Sequence, residues 1–579
     1  MNLPNTLVEI GYSCFHGCQN LQGDIIIPNG VKTIGMRTFD GCKRITRIVI
    51  PESVTEIGEL AFSNCTELVD IEMPSSVKSI GDAAFVYCQK IKSITIPEGV
   101  ERIGRDFFYG CRNLKNVTLP QTITEIGELA FGDCFNLTSI SIPDPVISIE
   151  IMAFRGCCNL QKVNISSKSQ LVTIQELAFE GCSSLSSFYI PKGVSLINDD
   201  ALIGFDNLSQ IEVHPQNEAY ATYNGALYHK DMKTLVLYPA AMVKEEYIVP
   251  NGVEKIGNRA FRGASIKKVS LPASLQTIGE EAFSGSHLMY VTIPASVTEI
   301  GQYAFAYCGN LDAVMALGTI PADIYDNTFT DYTDIMIFVD EKNLGAYKSA
   351  LYWKKQKWIL GFPTAKLTEA LLQPTTISII DGSCEYGEKW PKIQYKAVGG
   401  HFEGEPTIVD YSDLDVNISA GEWDVYIYKG SVSKKNLTLI NGKMIVKKAR
   451  LTVGVQDVTI TEGDDIPDFT LTYDGWKNNE SEATALIVKP VVTTTATANS
   501  TPGVYDITVS GGAATNYDVT YKKGTLTILK KDGTDDIADI IADAEYKIFT
   551  PDGKSIETLQ KGVNIIRYSD GQTKKVLVK

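Results

Sequence analysis

The stretch Pro51-Glu52-Ser53-Val54-Thr55-Glu56-Ile57-Gly58-Glu59-Leu60-Ala61-Phe62-Ser63-Asn64-Cys65-Thr66-Glu67-Leu68 is followed in the same register by Pro74, Val77, Ile80-Gly81, Phe85, Cys88 and Ile91. Pro28, Pro51, Pro74, Pro97, Pro120 and Pro143 each stand 23 residues after the last. A period of this length specifies a solenoid, in which every coil covers its neighbour's apolar face. Before each proline the chain alternates, as in Leu114-Lys115-Asn116-Val117-Thr118-Leu119, which predicts a short strand with Val117 and Leu119 facing inward. Proline ends the strand without needing a ladder donor. The Ile-Gly pair is expected to turn the chain, and the Ala-Phe element to set a ring inside the coil. Stacked coils then form one parallel sheet, expected on the concave face.

The register is already in place at Pro4, Leu7, Ile10, Gly11, Phe15 and Cys18, so a polar cap, signal or anchor is expected upstream of Met1. It continues to Cys157, gains about two residues before Leu171, and holds at Pro191, Val194 and Ile197, where Leu202 and Phe205 replace the usual Phe and Cys. After an insertion it resumes at Pro250. The expected fold is mostly β: about 12–13 repeats of 22–24 residues over 1–362, an insertion at about 214–249 and a terminal cap at about 315–362.

The unit I-P-x-x-V-x-x-I-G-x-x-A-F-x-x-C-x-x-L resembles the leucine-rich repeat of BspA-like bacterial surface proteins. The insertion, Tyr220-Ala221-Thr222-Tyr223-Asn224-Gly225-Ala226-Leu227-Tyr228 with Leu235-Val236-Leu237-Tyr238-Pro239, resembles that family's interruption. The resemblance implies an extracellular or outer-membrane-associated adhesion protein that recognises a host-matrix or neighbouring-cell protein. It implies no catalytic residues, because the motif is a packing motif. A glycan-binding module and a structural envelope scaffold are the alternatives.

Beyond residue 365 the period stops. Runs rich in Thr, Val and Tyr with turn pairs such as Asn441-Gly442 and Gly511-Gly512 predict β-sandwich modules at 374–449 and 450–531. The second resembles the MBG-type Ig-like modules of bacterial surface proteins, on Gly503-Val504-Tyr505-Asp506-Ile507 and Gly524-Thr525-Leu526-Thr527-Ile528; the first is more divergent. After a linker at 532–536, Tyr546-Lys547-Ile548-Phe549 and Gly562-Val563-Asn564-Ile565-Ile566 in a 540–579 segment resemble the small C-terminal sorting domain of Bacteroidetes-type secreted proteins.

A net charge of −16 argues against a nucleic-acid partner, which needs a basic face, and no segment is apolar enough to span a bilayer as a helix. Among the 12 cysteines, Cys18, Cys42, Cys65, Cys88, Cys111, Cys134, Cys157, Cys182 and Cys308 share one repeat position. Coils about 4.8 Å apart would carry these thiols as a ladder with parallel Cβ vectors, a poor geometry for bridging. They read as small core hydrophobes rather than disulfides or metal ligands. Five scattered histidines (His16, His214, His229, His287 and His401) have no metal-ligand spacing, and no nucleophile or phosphate-loop motif is found. Asp410, Asp413 and Asp415 with Glu403 and Glu405 suggest Ca²⁺, yet lack the Gly and terminal Glu of an EF-hand and read as solvated carboxylates. No enzyme activity, cofactor or metal is expected.

Two candidate surfaces remain. Outward strand positions on the sheet include Thr118, Ser141, Asn164, Tyr189, Glu212, Tyr290 and Thr292. These read either as ordinary solvent-facing residues or as a weakly charged groove anchored by Tyr189 and Tyr290. In the insertion, Tyr220, Tyr223 and Tyr228 flank an Asn224-Gly225 hairpin turn. They serve either recognition or the covering of an exposed coil.

Overall fold

The computed structural model describes residues 3–198, 200–329, 335–410, 418–531, 546–568 and 571–578. They form two compact units. One comprises 1–376 with 397–406 and 429–438; the other comprises 377–396, 407–428 and 439–579.

The first unit is a β-solenoid of about 15 turns, more than the 12–13 read from the strict motif. The extra turns come from segments that lost the motif but kept the stacking. Thr234–Leu237, inside the insertion, pairs in parallel with Lys255–Ile256, and Met336–Asp340 and Trp358–Phe362 extend the main sheet past the last full repeat. The main sheet forms as expected, strand on parallel strand one repeat apart: Arg47 opposes Asp70, Ser93 opposes Asn116, Ser139 opposes Lys162 and Ser187 opposes Gln210.

The Ile-Gly pair does not turn the chain. Its isoleucine lies in a second parallel ladder (Thr33–Ile34, Glu56–Ile57, Ser79–Ile80, and onward) on another side of the coil. The glycine follows because backbones meet there. A Cβ on Gly58 would lie 2.5 Å from Met36 N, and one on Gly81 2.3 Å from Glu59 N, distances no side chain tolerates. The glycine therefore marks close approach between the coils that carry it, and Glu150, Gln175 and Asn198 replace it in three others.

Inside, the phenylalanines stack as a column: Phe131–Phe154 and Phe154–Phe179 centroids are 5.1 Å apart with nearly parallel planes. Beside it runs the thiol ladder. Each buried cysteine donates its Sγ–H to the phenylalanine carbonyl of the preceding coil, as Cys65 does to Phe39 (3.3 Å) and Cys111 to Phe85 (3.0 Å). No disulfide joins them. Burial pushes the Cys42 thiol up to about 11 and that of Cys111 to about 12, so neither is a thiolate at neutral pH. Cys18, in the first coil, is exposed.

In the second unit, Gly382–Glu385, Gly442–Lys447, Gly421–Tyr428 and Thr407–Val409 make a four-stranded sheet in that order. A sandwich follows, in which Ala449–Val455 pairs with Leu471–Asp474 and Tyr517–Lys522, and Gly524–Leu529 lies between Val458–Thr461 and Gly503–Ser510. Leu451, Val453, Ile507 and Leu526 fill its core. Tyr546–Phe549, Ser555–Ile556, Gly562–Tyr568 and Thr573–Val578 form a last antiparallel sheet. The linker 532–536, Asp413 and Asp415 lie outside the described residues. Residues 397–406 and 429–438, expected within the first sandwich module, pack instead in the solenoid unit.

Candidate functional site

Strand alternation gives the main sheet one face toward the phenylalanine column and one face away from it. The outward face is not uniform. At its N-terminal end Arg47 is bracketed by carboxylates from the two neighbouring strands: Asp24 (3.9 Å), Asp70 (3.1 Å) and Glu72. These are exposed pairs, which order the surface more than they stabilise it.

Further along, the outward residues shrink to Ser93, Thr95, Asn116 and Thr118, all exposed. Next comes a groove of about 570 Å³. It brings together Ser141, Asp144, Lys162, Asn164, Tyr189 and Glu212 from four successive coils. Asn164 Nδ2 donates to Ser141 Oγ of the neighbouring strand at 3.2 Å, and Gln210 donates to Glu212 on its own strand, so these polar groups are held by one another. Tyr189 is half-buried. Burial, assisted by the nearby Glu212 carboxylate, holds its phenol above the usual value, so it stays a neutral donor. Thr118 lies on the same face outside the groove lining.

The C-terminal part of the face is covered. Tyr290, expected as the second exposed anchor, is only 8% accessible, and its hydroxyl accepts from Gln373 Nε2 at 3.1 Å. The chain leaving the last strand folds back so that Leu367, Leu371 and Leu372 lie on Tyr290, Met315, Met336 and Phe338. Lys268 fastens the cover through Glu369 (2.8 Å), a bond that pushes its ammonium up to about 12. Asp312 accepts from the backbone N–H groups of Lys435 and Asn436, the latter at 2.8 Å. The Thr292 hydroxyl is sealed from solvent. Tyr290 is therefore not available to a partner, and Thr292, part-exposed, does not present its hydroxyl.

The insertion tyrosines are mostly structural. Tyr220 is 3% accessible and its hydroxyl accepts from Ile197 N–H (2.7 Å). Tyr228 is fully buried, hydroxyl to hydroxyl with Tyr247 at 2.8 Å. Only Tyr223 is exposed among the three. The hairpin of Tyr220–Tyr223 and Ala226–His229 turns at Asn224-Gly225, both with positive φ, and so closes the coil beneath it.

Among the described residues, no group of three or more His, Cys, Asp or Glu is gathered as for a metal, and no helix is long and apolar enough to cross a membrane.

The repeat motif, its glycine rule and its thiol ladder identify the solenoid. The family model for the BspA type leucine rich repeat region matches six copies over 1–115, 101–224 and 243–356. The chain belongs to this BspA-type repeat family. Residues 451–527 match the MBG domain (YGX type). Among solved structures, the chain is similar to a leucine-rich repeat protein from Bacteroides ovatus (26% identity, covering 57% of this chain and 87% of that one, TM-score 0.44). It is similar also to a leucine rich cell surface protein from Faecalibacterium prausnitzii (24% identity, 62% and 87%, TM-score 0.35) and to the pneumococcal vaccine antigen PcpA (19% identity, 59% and 89%, TM-score 0.36). No curated protein matches. BspA-type repeats are generally non-enzymatic scaffolds, and the family fits a recognition or adhesion role.

Proposed function

We propose that this chain is a non-enzymatic adhesion protein of the bacterial cell surface, and that it binds an extended segment of an extracellular protein, from host matrix or another cell, along the open part of the main sheet. The observation that carries this reading is the groove across four coils, lined by Tyr189 and by the charges Asp144, Lys162 and Glu212. A half-buried tyrosine supplies contact area and a polar tip at little entropic cost, and flanking charges of both signs suit a polypeptide. A glycan would be better served by a planar row of aromatic rings, and with Tyr290 buried this face offers a single one. The sandwich modules serve as spacers, and the last sheet as a sorting domain.

The test is saturable binding of the purified chain to arrays of extracellular-matrix proteins and glycans, repeated with the double variant Tyr189→Ala, Glu212→Lys. Protein binding that weakens at least tenfold in the variant is expected. Binding to glycans alone, or protein binding indifferent to the variant, would overturn the proposal.

A further inference from the structure

Several cations of the early coils are neutralised where they stand. Arg47 meets Asp70 at 3.1 Å, Arg102 meets Asp82, Arg105 meets Glu128 at 3.7 Å and Arg155 meets Glu180 at 2.6 Å. The loop that leads from the cysteine into the main strand is different. There the repeat places Lys43 and Arg44, then Lys90 and Lys92, then Arg112 and Lys115, all exposed. None of these six joins an ion pair among the described residues. Glu67, on the coil between, is the single carboxylate in these rows and sets Lys43 and Arg44 apart from the other four.

Those four form the centre of a ridge. Lys115 N–H donates to Lys92 O at 2.8 Å, so two cations stand on adjacent rungs, about 4.8 Å apart at the backbone. Residues 83–97 and 107–120 carry the ring, cysteine, loop and strand of these two coils. They hold four cations and no carboxylate, in a chain of net charge −16. Beside them runs an amide ladder: Asn113 donates to Gln89 O (2.8 Å), Asn136 to Asn113 Oδ1 (3.3 Å) and Asn159 to Asn136 Oδ1 (3.4 Å). Each amide keeps a second N–H for a ligand. Phe135, the one aromatic in these rows, lies beneath the Arg112 guanidinium at 5.5 Å.

We propose that this ridge binds a linear sulfated polysaccharide laid across the coils. Sulfates repeated along a sugar chain match unpaired cations repeated along a solenoid, and the amides serve the sugar hydroxyls. A uronic-acid polymer without sulfate spaces its anions by a full disaccharide, wider than one coil. A nucleic-acid single strand holds to free ring faces, and the one ring of these rows is covered by Arg112. None of the six cations lines the Tyr189 groove, so this site is additional to the sheet-face reading and does not depend on it.

The test is calorimetry and surface plasmon resonance on the full chain at physiological ionic strength, with heparin, fully desulfated heparin, hyaluronan and a single-stranded polynucleotide. Saturable binding of heparin is expected, with each of the other three at least tenfold weaker. Lys92→Glu with Lys115→Glu should weaken heparin at least tenfold. Lys168→Glu with Lys192→Glu, an equal change of net charge at exposed positions off the ridge, should weaken it less than twofold. Lys92→Gln with Lys115→Gln should weaken it at least threefold and serves where charge reversal disturbs the fold. Absence of saturable heparin binding, equal binding of any of the other three polymers, or heparin binding that ridge and control pairs change alike would overturn the assignment. Tyr189→Ala should leave heparin binding unchanged, so failure here and failure of the sheet-face proposal are read separately.

Discussion

The main sheet is built from one repeat, yet its two ends present different faces. From Gln22–Ile26 to Gln210–Val213 the outward residues are mostly polar and solvent-facing; from Tyr290–Ile293 to Trp358–Phe362 they are Tyr290, Met315, Met336 and Phe338, sealed beneath Leu367, Leu371 and Leu372. The inward side is the same in both, a ring column with aliphatic neighbours. The solenoid core therefore sets the architecture, while the outward positions and the following chain decide where a partner can reach.

The largest effect should be shared by both ends. Phe131→Ala under the open face and Phe283→Ala beyond the insertion each remove a stacked, fully buried ring, and each should cost about 3–5 kcal/mol of local stability. Hydrogen exchange of the flanking strands measures both. A large inequality would break the claim of a common core.

Leu372→Ala separates the two ends. It should cost about 2–5 kcal/mol in protection of Met336–Asp340 and leave Ser139–Ser141 unchanged. If both segments respond alike, the cover is not local.

The same cover should depend on pH. Lys434, whose Nζ donates to the Leu372 carbonyl of the cover at 3.5 Å, is buried there, and burial lowers its ammonium from the ordinary 10.5 to about 8. The folded form then binds fewer protons than the unfolded one between these values. Stability of the cover is greatest above pH 10.5, falls as pH drops toward 8, and is level below that. The span is roughly 3–4 kcal/mol at about 1.4 kcal/mol per pH unit. Proteolysis at the cover as a function of pH should follow this slope in the native chain and lose it in Lys434→Met.

Smallest is the backbone contact common to both ends. Gly81→Ala and Gly301→Ala place a Cβ 2.3 Å from Glu59 N and 2.6 Å from Glu280 N, and each should cost about 1–3 kcal/mol through displaced coils. Thermal unfolding reads this.

What the sequence displays and what it hides divide along the same line. The period, the inward alternation and the cysteine ladder were legible because each coil imposes identical contacts on the next. The second ladder was not: two-residue strands such as Glu56–Ile57 have no alternation to detect, and only the glycine that follows most of them marks the close backbones. The cover was missed because Leu367 to Leu372 lie past the period. A signal was present in Ala313-Val314-Met315-Ala316, apolar at both parities and buried throughout, which marks a strand covered on both faces. The insertion tyrosines misled for a related reason. A tyrosine in a polar hairpin looks exposed, but Tyr228 and Tyr247 satisfy one another's hydroxyls and can be buried together. Of the candidate site, the sequence located Ser141, Asn164, Tyr189 and Glu212 on one surface; it could not tell that Tyr290 would be roofed over.

Hydroxyl-radical footprinting of the intact chain tests the central contrast most directly, because it compares Tyr189 and Tyr290, tyrosines at outward positions of the same sheet. The account predicts that Tyr189 is oxidised at least tenfold faster than Tyr290, and that Leu372→Ala narrows the gap. Equal rates in the native chain would mean that the two ends of the sheet are alike, and the division into an open face and a covered end would fall.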